Sequence, residues 1–397
     1  MNSSNATISR LLVLALLALA LTGCRSHDFP QYPSNYREYA YVTNGGSNTV
    51  TVLDVVNVRV DRELAVGQKP VAVAASPIRN EVYVVNSGAA DGLGSVLVIN
   101  AENNTVAGAI NVHRQPVSIE IDSTGGLAYV ANSGSNTISV LDLKARREIA
   151  AMGAGEEPVD ARLSPDNKTL VVANRRGNSV SLFDTATRRV RAIFEGCPGA
   201  SDAVILPDSS KAFVPCSAGH QIMAIALARA EIRPAQPGSA QFVPARPDRL
   251  EALLDVGQAP LQLALKPDGG ELFALNSLSD SISEVNTTTD DINSATIIGG
   301  TPVRGLVSAD NSVLYVANFR SQYVTVYAID DGKRIGSIHA GDGSSALAFS
   351  SSGLLLFVVD TRSGDVAVAR TTSLSFFTLL PAGRAPNAIA LKAFQLP

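Results

Sequence analysis

YVTNGGSNTVTVLDV, residues 41–55, is a β-branched and aromatic run ending in Asn, a turn rich in Gly and Asn, and a second run with alternating apolar residues. β-Branched and aromatic residues favour strands, whereas Gly, Asn and Ser favour the tight turns between strands. The stretch therefore predicts two antiparallel strands joined by a hairpin.

The first four residues of this stretch recur along the chain. The other copies are YVVN (83–86), YVAN (129–132), VVAN (171–174), FVPC (213–216), FALN (273–276), YVAN (315–318) and FVVD (357–360). The last residues of successive copies are 42, 46, 42, 42, 60, 42 and 42 positions apart. Each unit also holds a third and a fourth apolar segment, such as RELAVG (62–67) and PVAVAASP (70–77). Four short strands in each unit predict the blades of a β-propeller.

The two ends of the chain indicate how such a ring would close. The chain starts with a second strand (39–44) and ends with a lone innermost strand, APNAIALKA (385–393). A last segment that completes the first blade would remove the free strand edges. The sequence thus predicts an all-β fold, a single propeller of eight four-stranded blades closed by the C-terminal strand. Seven blades are the alternative, in which the irregular fifth unit forms no blade.

With these motifs, the chain resembles the YVTN-repeat, YncE-like β-propeller proteins over about residues 39–397. The resemblance implies a blade order in which segments like PVAVAAS are innermost, followed by those like EVYVVN and GSVLVIN and then an outer strand. It implies no catalytic signature, because the repeat of this family is structural. Related propellers host lactonase and lyase activities, so an enzyme of that kind is an alternative to a binding protein.

The N-terminal segment predicts export and lipidation. LLVLALLALAL (11–21) is too short to span a bilayer comfortably and is typical of a signal peptide. LTGC (21–24) resembles a bacterial lipobox, which implies a signal peptide over 1–23, a palmitate-bearing Cys24 and a tether over 24–38. An ordinary signal peptide with an incidental cysteine is the alternative. Arg25 is not the Asp that retains lipoproteins at the inner membrane, so the resemblance favours the outer membrane facing the periplasm, with surface display as the alternative.

Composition and motifs argue against several function classes. The formal net charge is −4 and only 17% of residues are charged, which gives no electrostatic reason to bind nucleic acid. The four histidines lie in separate parts of the sequence, and no CxxCH, GxSxG, P-loop or HExxH motif is present. The sequence therefore predicts no cofactor, no metal site and no catalytic residue.

Cys216 occupies the motif position that is otherwise Asn or Asp. Cys197 precedes the predicted innermost strand 200–206 of the same blade. The start of one antiparallel strand lies beside the end of the next, so the two cysteines should meet. In an oxidising compartment this predicts a Cys197–Cys216 disulfide. A nucleophilic Cys216 with His220 as its base is the alternative, although nothing in the sequence supplies a group to orient the His.

The remaining motif ends are interpreted as structural, because Asn can bond its own following amides in an Asx-turn. A ring of ligand-binding amides is the alternative. These positions are Asn44, Asn86, Asn132, Asn174, Asn276, Asn318 and Asp360. A proline-rich insertion at about 230–249 is predicted to leave the ring on the face opposite these turns, either as a tolerated surface loop or as a docking loop.

The innermost strands, aligned on their Pro-Val start, place one residue of each blade at the predicted mouth of a central channel. This column consists of Ala72, Ser118, Asp160, Asp202, Gln262, Arg304, Ala346 and Ala388. Glu120 and Arg162 follow at the next inward position of neighbouring blades and are predicted to form an ion pair.

Basic residues are predicted to gather on one sector of the same rim. Arg320 and Arg362 follow the motif in turns between second and third strands, whereas Arg384 and Lys69 precede innermost strands. Together with Arg304 they predict binding of a small anionic ligand or an acidic protein partner, because Arg recognises carboxylate and phosphate through its planar fork. Solvated surface charge is the alternative. The function favoured is a non-enzymatic binding or scaffold module; a propeller enzyme and an accessory protein of a periplasmic redox system are the other candidates.

Overall fold

The computed structural model describes residues 32–228 and 246–396. The predicted signal peptide, Cys24 and most of the proline-rich insertion lie outside these ranges. Within them, no helix is long and apolar enough to cross a membrane.

The described chain forms eight four-stranded antiparallel sheets, each of which is one blade of a β-propeller. The strands of a blade are called A to D from the central channel outward. Blades 1 and 2, from A to D, are β32 Pro386–Gln395, β1 Tyr36–Asn44, β2 Thr49–Asp54 and β3 Arg59–Ala65, then β4 Pro70–Ala75, β5 Glu81–Asn86, β6 Leu93–Asn100 and β7 Thr105–Arg114. Blades 3 and 4 are β8 Pro116–Ile121, β9 Leu127–Asn132, β10 Thr137–Asp142 and β11 Arg147–Gly153, then β12 Pro158–Leu163, β13 Thr169–Asn174, β14 Ser179–Asp184 and β15 Arg189–Glu195.

The other four blades follow the same order. Blades 5 and 6 are β16 Val204–Ile205, β17 Lys211–Cys216, β18 Gln221–Ala226 and β19 Arg249–Asp255, then β20 Pro260–Leu265, β21 Glu271–Asn276, β22 Ser281–Asn286 and β23 Asp291–Ile297. Blades 7 and 8 are β24 Pro302–Val307, β25 Val313–Asn318, β26 Tyr323–Ala328 and β27 Lys333–His339, then β28 Ser344–Phe349, β29 Leu355–Asp360, β30 Asp365–Arg370 and β31 Ser375–Pro381.

The C-terminal strand closes the ring, as the sequence predicts. β32 pairs with β1 from Tyr36 opposite Gln395 to Asn44 opposite Pro386. β1 begins three residues before the predicted start at 39, because β32 continues to Gln395 and pairs with the added residues. The last strand of the chain is therefore the innermost strand of the first blade.

Blade 5 is complete, so the seven-blade alternative is wrong, but its A strand is shorter than the predicted 200–206. Only Val204–Ile205 pair regularly, with one isolated bridge from Ala200 to Cys216. The B-strand residue just before Cys216 is Pro215, which has no N–H to donate to the A strand. The ladder is therefore interrupted between the bridge and Val204.

The core lies between neighbouring blades. The B and C strands are covered on both faces, which explains why they are continuous apolar runs; β13 (TLVVAN) is buried at every residue. Between blades 4 and 5, for example, Val171 and Val180 pack in one cluster with Ala212 and Met223. The outer D strands have one covered face and alternate between exposed and partly buried residues, as β19 does.

Candidate functional site

The predicted channel column forms the wall of one cavity. All eight column residues line a space of about 510 Å³, which confirms that they meet at the channel. They stand near the starts of the A strands, beside the ends of the B strands. The cavity therefore lies at the face of the ring that bears the B–C turns and the connections entering the A strands, which is called the B–C face below.

On blades 4 and 5 the cavity wall contains the charged side chains of Asp160, Arg162 and Asp202, which Glu120 of blade 3 joins from outside the lining. Arg162 lies 3.3 Å from Glu120, 3.0 Å from Asp160 and 3.7 Å from Asp202. The predicted Glu120–Arg162 pair is thus confirmed, and two further carboxyl groups join it. Asp160 and Asp202 are only 7% and 6% exposed, respectively. Three carboxyl groups therefore share one guanidinium.

Burial governs the protonation of this cluster. Removal from water raises the pKa of Asp160 to about 7, although the Arg162 guanidinium opposes this rise; the nearby carboxyl groups of Asp202 and Glu120 add to it. Burial also raises the pKa of Glu120. The pKa of Arg162 is raised mainly by Asp160. Because its pKa is raised to about 7, Asp160 is partly protonated near neutral pH.

Part of the column has a structural role. Each A strand is the innermost strand of its blade, so no other strand pairs with the backbone N–H groups along its inner edge. Side chains of the preceding blade accept hydrogen bonds from some of these N–H groups. Asp202 Oδ2 accepts from the N–H of Leu263 at 3.1 Å. Gln262 Oε1 accepts from the N–H of Gly305 at 2.8 Å. These contacts join neighbouring blades along the channel.

Arg304 differs from the other charged groups of the cavity. It is half-buried on blade 7 and lines the cavity, yet no hydrogen bond or ion pair engages its guanidinium among the described residues. The next three blades contribute only Ala346, Ala388 and Ala72 to the column, so the column residues beyond Arg304 are small. Among the described residues, the cavity thus has an acidic wall on blades 4 and 5 and, on blade 7, a cation without an ion-pair partner.

The other predicted basic residues lie in the turns and connections of the B–C face on blades 7, 8, 1 and 2. We call Arg320, Arg362, Arg384 and Lys69 the rim cluster. Arg362 pairs with Asp342 at 3.6 Å and stacks on the ring of Phe319 at 4.6 Å. The other three side chains are exposed, with no ion pair within the described part of the chain.

The equivalent arginine on the opposite side of the ring is neutralised. Arg176 occupies the same turn position in blade 4 and lies 3.7 Å from Glu156 and 4.0 Å from Glu157. The positive charge of the rim is therefore concentrated on the sector next to Arg304.

Cys197 and Cys216 form a disulfide, with sulfurs 2.03 Å and Cα atoms 4.7 Å apart. His220 stands at a left-handed turn position (φ 57°), and its Nδ1 accepts from the N–H of Ala259 at 3.1 Å. In blade 4 the equivalent acceptor is Asn178, which bonds the N–H of Gly199. Cys216 is thus not a free nucleophile and His220 is a turn residue, so the nucleophile interpretation is wrong.

The motif asparagines are structural, but not as Asx-turns. Their amides are buried and donate across to the C strand. In four blades the acceptors are hydroxyl groups five and seven residues later, as from Asn132 to Thr137 (3.2 Å) and Ser139 (2.9 Å). Asn86 instead donates to Ser95 Oγ, and Asn318 donates to the Tyr323 carbonyl and to Thr325 Oγ1. The left-handed turn residue is the fourth after the motif, such as Asn136 (φ 55°). The recurring hydroxyl residues of NTVT, NTIS and NSVS were the sequence signal for this contact.

Blade 8 replaces this amide with a carboxyl. Asp360 is fully buried and accepts from Ser344 Oγ at 2.6 Å and from the N–H of Gly341 at 2.8 Å. The residue five positions later is Asp365 instead of Ser or Thr, and the two side chains are hydrogen-bonded. Burial raises the pKa of Asp360 to about 7, which the two accepted hydrogen bonds oppose and Asp365 reinforces.

The histidines of the described chain do not converge. His113 is in an outer strand, where it faces Glu148 at 3.2 Å, and His339 is in the outer strand of blade 7, between Tyr323 and Phe376. Residues 32–228 and 246–396 contain no group of three or more His, Cys, Asp or Glu side chains that could hold a metal ion.

The structure defines an eight-bladed β-propeller, and comparisons with known proteins agree on that class. No family model matches the chain, and no curated protein matches it. Among solved structures it is similar to dihydro-heme d1 dehydrogenase NirN in complex with DHE, at 16% identity and a TM-score of 0.68, covering 91% of this chain and 76% of that one.

Two further structures have the same fold. Apo AztD from Citrobacter koseri is 13% identical with a TM-score of 0.67, covering 90% of this chain and 98% of that one. Hydrazine synthase from Kuenenia stuttgartiensis is 18% identical with a TM-score of 0.54, covering 76% and 95%, respectively. At such identities the likeness concerns the fold and not the activity.

Proposed function

We propose that the protein is a non-enzymatic binding module that holds a small anionic ligand at the channel mouth. The observation that supports this most is Arg304, a half-buried guanidinium that lines a cavity of about 510 Å³ and has no partner in residues 32–228 and 246–396. A partly desolvated cation is costly unless it is paired. A carboxylate or phosphate that accepts two parallel N–H bonds from the guanidinium would remove that cost.

The surroundings of Arg304 favour an anion of metabolite size. Ligand cavities of proteins usually measure about 300–1,000 Å³, and this cavity is within that range. The rim cluster would raise the local concentration of anions at the B–C face. The same rim could instead dock an acidic protein surface, which is the second form of this binding function.

We also propose that the protein is a lipoprotein of the YVTN-repeat type, anchored through Cys24 at the outer membrane and facing the periplasm. Two features support export: the N-terminal motif and the Cys197–Cys216 disulfide, since disulfides persist in oxidising compartments. Radiolabelled palmitate incorporated by the full chain and absent from Cys24→Ser would test the anchor. Labelling of Cys24→Ser would contradict it.

An enzyme of the lactonase or lyase kind is the second candidate. One observation favours it: Asp160 lines the cavity and has a pKa raised to about 7, as befits a general acid or base. Asp160→Asn would then abolish turnover but not ligand binding. If the protein is a binding module, neither the wild type nor Asp160→Asn should turn over a substrate.

Calorimetric titration of the full chain, purified in detergent, with inorganic phosphate and with butyrate tests the anion site. Whichever of the two anions binds to the wild type, Arg304→Gln should weaken its binding by at least about tenfold, which corresponds to the loss of a charge-assisted hydrogen bond. Arg176→Gln is the matched control and should bind like the wild type. The proposal fails if neither anion binds saturably, or if Arg304→Gln binds as the wild type does.

A further inference from the structure

We infer that the ligand of this cavity is zwitterionic: its anionic group binds Arg304, and a protonated amine binds Asp160 and Asp202. The inference rests on the proposed anion site and names the chemical class of its ligand. It follows from the distribution of charge and of unsatisfied groups around the cavity wall.

The first step concerns charge. Arg162 is the sole cation within ion-pairing distance of the Glu120, Asp160 and Asp202 carboxyl groups, among the residues the structure describes. Their full ionisation would leave an excess of two negative charges beside the cavity. A ligand with anionic groups alone would be attracted by Arg304 but repelled by this wall. A ligand that also has a cation is attracted at both places.

The second step concerns which groups need a partner. Gln262, on the blade between the acidic wall and Arg304, already uses both atoms of its amide: Oε1 accepts from Gly305, and Nε2 donates to the carbonyl of Leu263. It requires nothing from a ligand. To one side of it lies Arg304, which has no partner among the described residues, and to the other lies the carboxyl pair, where negative charge is in excess.

The third step concerns acceptors for an amine. An ammonium group has three N–H donors and needs about three acceptors. Asp160 and Asp202 supply carboxylate oxygens, and Ser118 lines the same cavity on the next blade. Ser118 Oγ is buried and has no hydrogen-bond partner within the described ranges. Rotation about χ1 would turn this hydroxyl toward the cavity, where it would complete the set.

The fourth step concerns space beside the carboxylates. The short A strand of blade 5 leaves a second cavity of about 270 Å³, which shares Arg162, Asp202 and Gln262 with the channel mouth. Its remaining lining includes the apolar side chains of Leu163, Val204 and Leu265. Asp202 thus borders open space on two sides, so an amine on an aliphatic stem can reach it.

Binding should release a proton near pH 7. The charged groups that face Asp160 are Glu120 of blade 3, Arg162 of its own strand and Asp202 of blade 5. Burial raises the pKa of Asp160 to about 7 in this setting, so Asp160 is partly protonated at that pH. The ammonium group of the bound ligand then balances the negative charge of the Asp160 carboxylate in place of that proton. The proton passes to the buffer, and the ligand keeps all of its own.

The experiment compares ligands that differ only in charge. The full chain is titrated calorimetrically with β-alanine, 4-aminobutyrate and 6-aminohexanoate, with the matching carboxylates propionate, butyrate and hexanoate, and with butylamine. We expect at least one amino acid to bind about tenfold or more tightly than its carboxylate and than butylamine. Titration in two buffers of different ionisation enthalpy should show release of about one proton or less per ligand at pH 7.

Asp160→Asn keeps the shape of the side chain and removes its charge. This variant should lose both the preference for the amino acid and the proton release, while its affinity for the carboxylate stays at the wild-type value or rises. Asp330→Asn, at an exposed position, is the matched control. Thermal melts of both variants would show whether each is folded.

The outcomes separate the two proposals. Equal binding of carboxylate and amino acid, unchanged by Asp160→Asn, would refute the amine site and leave the anion site standing. If butylamine binds as tightly as the amino acids do, the anionic group of the ligand contributes nothing, and a site that binds both an anion and an amine is refuted. Absence of saturable binding by every compound would refute both proposals.

Discussion

Replacing Asp360 with Asn should stabilise the ring above pH 7 and slightly destabilise it near pH 4. Asp360 is the buried carboxyl at the motif position where six other blades have Asn. In four of those blades the amide donates to a hydroxyl five residues later; in blade 8 the carboxyl meets Asp365. Only a protonated Asp360 can donate there, and Asn donates at every pH.

The magnitude follows from the pKa of Asp360, which burial raises from 3.8 to about 7. The stability that protonated Asp360 contributes is fully present below pH 3.8 and is lost as the pH rises through about 7. A rise in pKa of this size corresponds to a loss of about 4 kcal/mol in the free energy of unfolding once Asp360 is ionised. Asn has one acceptor fewer for Ser344 Oγ and the Gly341 N–H, which costs about 1 kcal/mol. The variant should therefore be about 3 kcal/mol more stable at pH 8 and about 0.5 kcal/mol less stable at pH 4.

The assay is denaturant unfolding of the full chain at pH values from 4 to 8, with the disulfide intact. The difference between Asp360→Asn and the wild type should change sign between these limits. Asp330→Asn, the exposed control, should give a difference that does not depend on pH. A constant difference for Asp360→Asn would show that Asp360 is ionised at neutral pH and would refute this reasoning.

Three further predictions concern the ring, the disulfide and the rim. Deletion of 385–397 removes the A strand of blade 1 and should lower the melting temperature by many degrees; an unchanged temperature would argue against closure by β32. Replacing Cys197 and Cys216 by Ala should cost roughly 3 kcal/mol in unfolding free energy, and alkylation of both thiols in the exported wild-type protein would contradict the disulfide. Reversing the three arginines of the rim cluster to Glu should weaken capture of an acidic partner in intact-cell crosslinking and reduce its salt dependence; unaltered capture would exclude this sector.

The blade count could be predicted because the repeat is local: each motif copy marks one B strand, and the turns around it have strong sequence signals. The motif copy at 213–216 indicated that blade 5 exists. Its short A strand was missed, although Pro215 gave a reason to expect it. The Asn contacts were missed because Asx-turns were considered without the hydroxyl residues of the C strand.

The candidate site was partly predictable. Alignment of the A strands placed eight residues at one level, and their shared cavity confirms that alignment. It did not show that Asp160 and Asp202 would join the Glu120–Arg162 pair, since this depends on how far side chains reach between neighbouring blades. Nor did it show that Arg304 has no partner, because pairing depends on three-dimensional distances that a repeat alignment does not contain.

Native mass spectrometry of the full chain, isolated gently from the cells that produce it, tests the channel-mouth site most directly. Wild type and Arg176→Gln should retain a small molecule that is released on unfolding and contains an anionic group. Arg304→Gln should be recovered without it. Wild-type protein without any added mass, or an equal added mass on Arg304→Gln, would contradict the assignment of this cavity as the ligand site.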